Sequence, residues 1–535
     1  MKYLLLFAVS CSSLFSFAQS NKFTFKLGEE YEIPKRSEDL GFYGTQSAGI
    51  VNLFLKKDKL TIFSFNPQNI TQTGEKEIEL DVTGNYNNEG IVNFGNNFFW
   101  LHSDWDKSAK EEAVYYDKID VKTGQITEAN KTLFTSSKIA GEYMGGGMWG
   151  AWGGGYKTGN KYSFNTDAEN TRLLISYRLY PEEKNDKKNY DRIGVYVFDQ
   201  DLKKVWNSEF SMPYTEAIMD NLDFTVDSKG NCYMLAKVYE NEKRKEKDKE
   251  TGKPGYHFEV FKFTTEKKMI QYQVSLDDYF IREASLIENS LHDIVVSCTY
   301  SKKSKGNGTD GVFLAMLDQN GKVMKYKNGY YEFPLEELEK FEKARTRKKM
   351  ENKDDYEAPN IRVRNISVEK DGSVFLAMEE YHMEERTTST KYGTTTTYYY
   401  YYDDILGAKI DAQGKFLWLR KIPKKQRGTN ASQTLGYKLV TDETGYYFLY
   451  LDNKKNVDLP EDEAPKAHEN GYGGQVMVAK IDNAGTVTKE LLFDTREENL
   501  MVMPRFFKRM DGNSYIGRTS IKGPGAYKPL LITVK

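Results

Sequence analysis

The side chains that do acid–base or metal chemistry are present but dispersed. The five histidines, His102, His257, His292, His382 and His468, never fall at a spacing that would put two of them on one element as metal ligands. No His-Glu-x-x-His, no Gly-x-Ser-x-Gly elbow and no Walker-type phosphate loop occurs. The adjacent carboxylates Glu379-Glu380 and Asp403-Asp404 would suit general acid–base work only if both reached one substrate, and neighbours on a strand point to opposite faces. Recurrent aspartates such as Asp227 and Asp411 lack the Asp-x-Asp-x-Asp-Gly order and the twelfth-position Glu of a calcium loop. They read as turn residues. No catalytic residue, no metal and no cofactor is therefore expected.

The residues that stand out instead are aromatic. Between Gly141 and Gly159, nine glycines separate Tyr143, Met144, Met148, Trp149, Trp152 and Tyr156. Such rings can stack on a sugar, lie at a membrane interface or anchor a protein partner, or they can fold back over the body of the protein. A second concentration, Tyr398 to Tyr402, places rings on both faces of an extended strand, which is more than a one-sided core needs. Tyr143, Trp149, Trp152, Tyr156, Tyr398, Tyr400 and Tyr402 are the candidate partner-binding residues.

The elements that must carry them repeat along the chain. One phrase is a turn of Asp, Gly and Asn character followed by an apolar or aromatic run, as in Asp227-Ser228-Lys229-Gly230 before Tyr233-Met234-Leu235, Asp371-Gly372 before Val374-Phe375-Leu376, and Asp511-Gly512 before Tyr515-Ile516. Each reads as a hairpin turn. A second phrase, an apolar strand ending in Asp and a Gly turn, is clearest in Ala408 to Gly414 and Ala479 to Gly485. The two alternate, giving four strands per unit at a period of roughly 40 to 50 residues, the signature of a β-propeller blade. Turns near 57, 95, 168, 229, 291, 371, 443 and 511 predict an all-β propeller of eight four-stranded blades, with seven the alternative if one early unit is something else. The last unit is short of a strand, and Phe23-Thr24-Phe25-Lys26-Leu27 alternates as a strand without a unit of its own. Pairing the two would close the ring and remove its exposed edges.

Departures from the repeat fall at about 139–160, 240–256, 334–358, 383–402 and 453–475. The 240–256 segment has mixed charge and reads as a solvated hairpin tip. From Pro334 to Met350 the spacing of Leu335, Leu338 and Phe341 predicts a helix, supported by Glu336 with Lys340 and Glu339 with Lys343. The 383–402 segment predicts a long hairpin turning near Lys391-Tyr392-Gly393, and 453–475, acidic and Gly-rich, reads as a mobile loop.

Composition narrows the class further. In 535 residues, Lys plus Arg number 76 against 78 Asp plus Glu, so no global basic field exists to hold nucleic acid. Tyr 38 and Phe 30 against Pro 13 favour half-buried strands. Lys2, the apolar run from Tyr3 to Val9 and Ser16-Phe17-Ala18 read as a signal peptide over 1–18, leaving 19–535 as the propeller. A second reading makes Cys11, after Ala8-Val9-Ser10, a lipidated cysteine, at the cost of a very short apolar region and an Ala where Leu is usual. No later run approaches the ~20 apolar residues of a membrane-spanning helix. Cys232 and Cys298, both within strand patterns, read as small buried hydrophobes.

The run Tyr398 to Gln426, with its tyrosines, Asp403-Asp404-Ile405, Lys409-Ile410-Asp411, Gly414, Trp418 and Lys421-Ile422-Pro423-Lys424, resembles a segment shared by uncharacterised secreted proteins of Bacteroidota. The Phe17-Ala18-Gln19 junction is similar to signal-peptide ends in that phylum. The resemblance covers about thirty residues and implies a cell-envelope propeller without implying an activity. Type IX secretion cargo there usually ends in a β-sandwich sorting domain, whereas here the last residues belong to the propeller pattern, so the periplasm is favoured over export to the surface. Together these readings predict a periplasmic or secreted monomer that acts without catalysis as a binding or scaffold module, through its aromatic-rich loops, for a protein or an envelope glycan. The alternative is a carbohydrate-active propeller, a glycoside hydrolase or lyase, with carboxylates from different blades gathered at the channel mouth.

Overall fold

The computed structural model describes residues 22–535 except 83–85, 107, 138, 140–160, 183–187, 275–277, 290, 326–328, 392, 430–433, 472, 498, 511–512 and 522–524. The leader, Cys11 and the Gly141 to Gly159 segment therefore lie outside the described residues.

Blade 1 sets the pattern: Glu38–Thr45, Gly49–Lys56, Lys59–Phe65 and Gln72–Glu79 pair in sequence order, all antiparallel. The next six sheets follow at 87–136, 162–215, 219–274, 280–324, 361–422 and 437–494, and the eighth is built from Leu500–Val502, Ser514–Ile521, Ala526–Val534 and the N-terminal Phe23–Leu27. Phe23 pairs with Val534 and Leu27 with Leu530, so the first strand supplies the outer edge of the last blade. Burial falls outward: in blade 1 the second and third strands are almost wholly buried, whereas Gln72–Glu79 is largely exposed.

The ring is held by apolar seams. Among the described residues eight clusters of buried side chains occur, one at each junction between consecutive blades: Val51 and Leu53 meet Trp100 between blades 1 and 2, and Phe42 and Phe63 meet Ile516 and Leu531 between blades 1 and 8. The seam from the last blade back to the first closes the circle, so the protein is an eight-bladed β-propeller with its ends joined by strand pairing. Cys232 and Cys298 are free, buried thiols in two of these seams.

The two repeated phrases are the turns at one end of the ring. The first joins the innermost strand of a blade to the second, as at 167–171, 227–231 and 369–373; the second joins the third to the outermost, as at 318–322, 411–415 and 483–486. Their aspartates accept backbone N–H groups: Asp227 Oδ1 from Asn231 at 2.7 Å, Asp411 Oδ1 from Lys415 at 2.7 Å and Asp482 Oδ1 from Thr486 at 2.7 Å. Gly230 and Gly414 follow with φ of 84° and 74°, a backbone that side chains with a Cβ rarely adopt. Blade 1 differs from the reading above, because the turn at 57 joins its second and third strands and the equivalent of the other turns is 46–48.

These turns are tied across blades by Glu288. Its Oε2 accepts from the Ala168 N–H at 2.9 Å and its Oε1 from the Ser228 N–H at 3.0 Å, with His292 Nδ1 at 3.1 Å. The contact with Glu288 holds the His292 imidazolium above its ordinary value. That contribution is complete below the free-imidazole range and is lost as pH rises through the raised value. Glu288→Ala is expected to cost roughly 1–2 kcal/mol in urea unfolding and to flatten stability against pH across that window. An unchanged urea midpoint and pH profile would show that the three turns hold without it.

All five insertions leave from strand ends on the other side. The 240–256, 383–402 and 453–475 segments join second strands to third, the strand Gln125–Ser136 before the glycine-rich segment ends there, and the 334–358 segment joins blades 5 and 6. The predicted single helix is two, Leu335–Leu338 and Ala344–Glu351. Phe341, expected on its apolar face, has φ 60° and breaks it, its N–H donating to the Glu461 carbonyl at 2.6 Å. The insertion instead docks on blade 6, where Lys421 donates its N–H to Glu337 at 2.8 Å and its ammonium to the Leu338 carbonyl at 3.0 Å. The 453–475 segment is also built rather than loose. Asn456 is fully buried, donating to Asp452 at 2.7 Å and to the Lys466 carbonyl at 2.8 Å, and His468–Glu469 pairs parallel with Gln426 and Arg427.

Candidate functional site

The tyrosine ribbon is the most developed part of this insertion end. Val374–Thr390 and Gly393–Ile410 run far past their neighbours in blade 6, and Gln426–Thr429 joins the second of them at Tyr399 to Tyr402. Thr and Tyr fill both strands because they suit extended backbone, and register then sorts the rings. Tyr398, Tyr400 and Tyr402 oppose Glu385, Met383 and Tyr381, whereas Tyr399 and Tyr401 oppose Glu384 and His382 on the other face.

The second face is satisfied internally. Tyr401 stacks on His382 with centroids 4.2 Å apart and donates its hydroxyl to Glu384 at 3.2 Å, while the Arg386 guanidinium lies 4.4 Å from the Tyr399 ring. The first face is graded from base to tip. Tyr402 is buried, its hydroxyl accepting from Arg505 at 3.1 Å and its ring 4.8 Å from Tyr381. Tyr400 is half-buried, and Tyr398 and Met383 are 38% and 48% exposed. Of the predicted tyrosines, Tyr398 is thus at the surface, Tyr400 beside it, and Tyr402 holds the base of the ribbon.

That base rests on a buried charge network. Lys424 donates to the Tyr402 carbonyl at 2.7 Å and lies 2.9 Å from Glu379, which also takes the Arg364 Nε at 3.0 Å. Burial pushes the Glu379 carboxyl up, but Lys424 and Arg364 outweigh it and hold it below the usual carboxylate range. Glu380, the bulged neighbour, sits in a different field: burial, then Asp404 and Asp403, raise it to about 8. The adjacent carboxylates thus diverge, as strand geometry requires. On the inner strands of blades 7 and 8, burial lowers both Lys438 and Lys508, and repulsion from Lys508 helps bring Lys438 to about 8.

The sequence reading missed further exposed aromatics at this end. Trp105 at the end of a blade 2 strand, and Tyr180 and Tyr190 at the same end of blade 3, are 41%, 51% and 59% exposed. Each stands alone in the sequence and carries no spacing signal, so only the fold places all three at one end. Of the predicted residues, Tyr143, Trp149, Trp152 and Tyr156 lie outside the described residues. Among the described residues no three His, Cys, Asp or Glu side chains are grouped to hold a metal ion, and no helix is long and apolar enough to cross a membrane.

No known sequence family matches the chain, and no curated protein matches it. Solved structures resemble it over much of its length at about 10% identity. A quinohemoprotein alcohol dehydrogenase of Pseudomonas putida is 10% identical over 95% of this chain and 76% of its own, with a TM-score of 0.40. The β-propeller domain of the Trilobed protease of Pyrococcus furiosus is 10% identical over 87% of this chain and 97% of its own, with a TM-score of 0.33. A protein of unknown function from Dyadobacter fermentans is 10% identical over 74% of this chain and 98% of its own, with a TM-score of 0.27.

Proposed function

We propose that this protein is a non-enzymatic binding module of the cell envelope, periplasmic or secreted, that engages a protein partner or an envelope glycan through the insertion end of its propeller. The observation that carries this reading is that every insertion leaves the ring at one end, and that this end holds the exposed Tyr398, Met383, Trp105, Tyr180 and Tyr190. Loops on a rigid scaffold carry recognition more often than the scaffold does, and aromatic side chains supply contact area at little entropic cost.

The test is affinity capture of tagged full-length protein from the envelope of its source cells after mild crosslinking. Wild type is compared with a Met383→Glu, Tyr398→Glu double variant and a Trp105→Glu variant. These exposed positions are expected to leave the melting temperature unchanged, and a partner held by wild type is expected to fall by about tenfold or more in at least one variant. Capture of nothing above background by wild type would overturn the proposal.

A further inference from the structure

The seam between blades 2 and 3 ends, on the insertion side, in a group of buried acceptors with too few donors. Glu89, the bulged residue of the inner strand of blade 2, and Glu112, from its third strand, are 5% and 2% exposed. The Ser103 hydroxyl donates to Glu89 Oε1 at 2.6 Å, and Lys161 Nζ lies 2.9 Å from Glu112 Oε2. The remaining oxygens, Glu89 Oε2 and Glu112 Oε1, have no hydrogen-bond partner among the described residues, and neither has the hydroxyl of Tyr162, which begins the inner strand of blade 3 and is 5% exposed.

Buried polar atoms left in this state are rare and costly, and three in one place ask for a common partner. With both carboxyls ionised, two of the three can only accept, so a partner to that form must donate. In that form two carboxylates against one lysine leave the group one positive charge short. Burial, with a further push from Glu112, raises the Glu89 carboxyl to about 7, and the Tyr162 hydroxyl is raised by burial and by both carboxylates.

We propose that this seam is a receptor for a primary ammonium group, whose three N–H donors meet Glu89 Oε2, Glu112 Oε1 and Tyr162 Oη. A hard divalent ion would want about six to eight oxygens, more than this group offers. The acceptors are buried, so the ammonium must arrive on a slender stem, as on a lysine side chain of a partner protein, rather than on a sugar ring. Trp105 stands directly opposite Glu112 in the strand register and is exposed, placing an indole face where the methylene stem of that lysine would enter. This assignment rests on the binding-module reading and names the partner side chain it would take.

The experiment is calorimetric titration of the full chain with Nα-acetyl-lysine methylamide. The Nε-acetylated compound and glucosamine serve as controls, and wild type is compared with Glu112→Gln and Tyr162→Phe. Wild type is expected to bind the lysine probe at least about tenfold more tightly than either control, with Glu112→Gln weakening it about tenfold and Tyr162→Phe by a few-fold. If Glu112→Gln does not fold by circular dichroism, Tyr162→Phe, which keeps the buried ring, carries the test. Equal binding of the Nε-acetylated compound or of glucosamine, no binding of the lysine probe, or unchanged affinity in a folded variant would overturn the proposal. So would turnover of a polysaccharide that depends on Glu89 and Glu112. Loss of lysine-probe binding with envelope capture intact would sink this site alone, whereas capture failing with the probe still bound would sink the broader reading.

Discussion

Deleting residues 23–27 is expected to cost about 5 kcal/mol or more and to leave a propeller that aggregates. The strand forms five register pairs with Leu530 to Val534. Phe23 is buried against Tyr447 with ring centroids 5.2 Å apart, and Phe25 meets Phe493 at 4.5 Å. Burying one such ring contributes about 2–3 kcal/mol, and each ladder hydrogen bond about 1 kcal/mol net. Without the strand, Ala526–Val534 becomes an open edge rich in Leu, Ile and Val. Thermal unfolding by circular dichroism together with light scattering reads both effects. A truncated chain that melted within a few degrees of wild type and scattered no more light would show that the ring does not depend on this closure. Phe23→Ala is the milder form and is expected to cost about 3–4 kcal/mol with the strand still paired.

Lys424→Met is expected to cost about 3–5 kcal/mol, because it leaves the fully buried Glu379 with Arg364 alone and removes the donor to the Tyr402 carbonyl. The double variant Lys424→Met, Glu379→Leu should recover part of that loss, since replacing a whole buried pair by apolar groups costs less than breaking it. The pH dependence has a definite sign. The Glu379 carboxyl is held below its unfolded value, so its contribution is present above that value and is lost as pH falls through the lower, folded one. Acid unfolding of the double variant should therefore be shallower than that of wild type. Urea titrations at neutral and acidic pH measure both, and a double variant no more stable than the single one would show that the network acts through packing of the ribbon base instead of through charge.

The repeat was legible because its turns are chemically constrained. Asp accepting a backbone N–H and Gly at positive φ are demanded by the geometry of a short hairpin, and they recur wherever that geometry does, so the short-turn end of the molecule could be read directly. The N-terminal closing strand was legible from alternation plus arithmetic, one strand too many at the start and one too few at the end. The insertion end obeys no such local rule. The predicted helix failed at Phe341 because a contact with Glu461, far away in sequence, outweighed an apolar stripe that local spacing favoured. The 453–475 segment looked loose because its stability comes from one buried Asn and a parallel pairing with 426–427, neither of which leaves a pattern. The tyrosines were found by their density, and their division into buried base and exposed tip follows from which neighbours the fold supplies. Glu89, Glu112 and Tyr162 are ordinary residues in ordinary strands, visible as a group only when two blades meet.

The closing pairing also fixes where Lys22 and Lys535 stand. The Lys535 N–H donates to the Lys22 carbonyl at 2.7 Å, and the strands they flank begin and finish at the short-turn end of the ring. Any tether joined through Lys22 or Lys535, whether an affinity tag, a lipid or a surface in an assay chip, holds that end toward its anchor. The opposite end, with its ribbon and exposed aromatics, then faces away from the anchor.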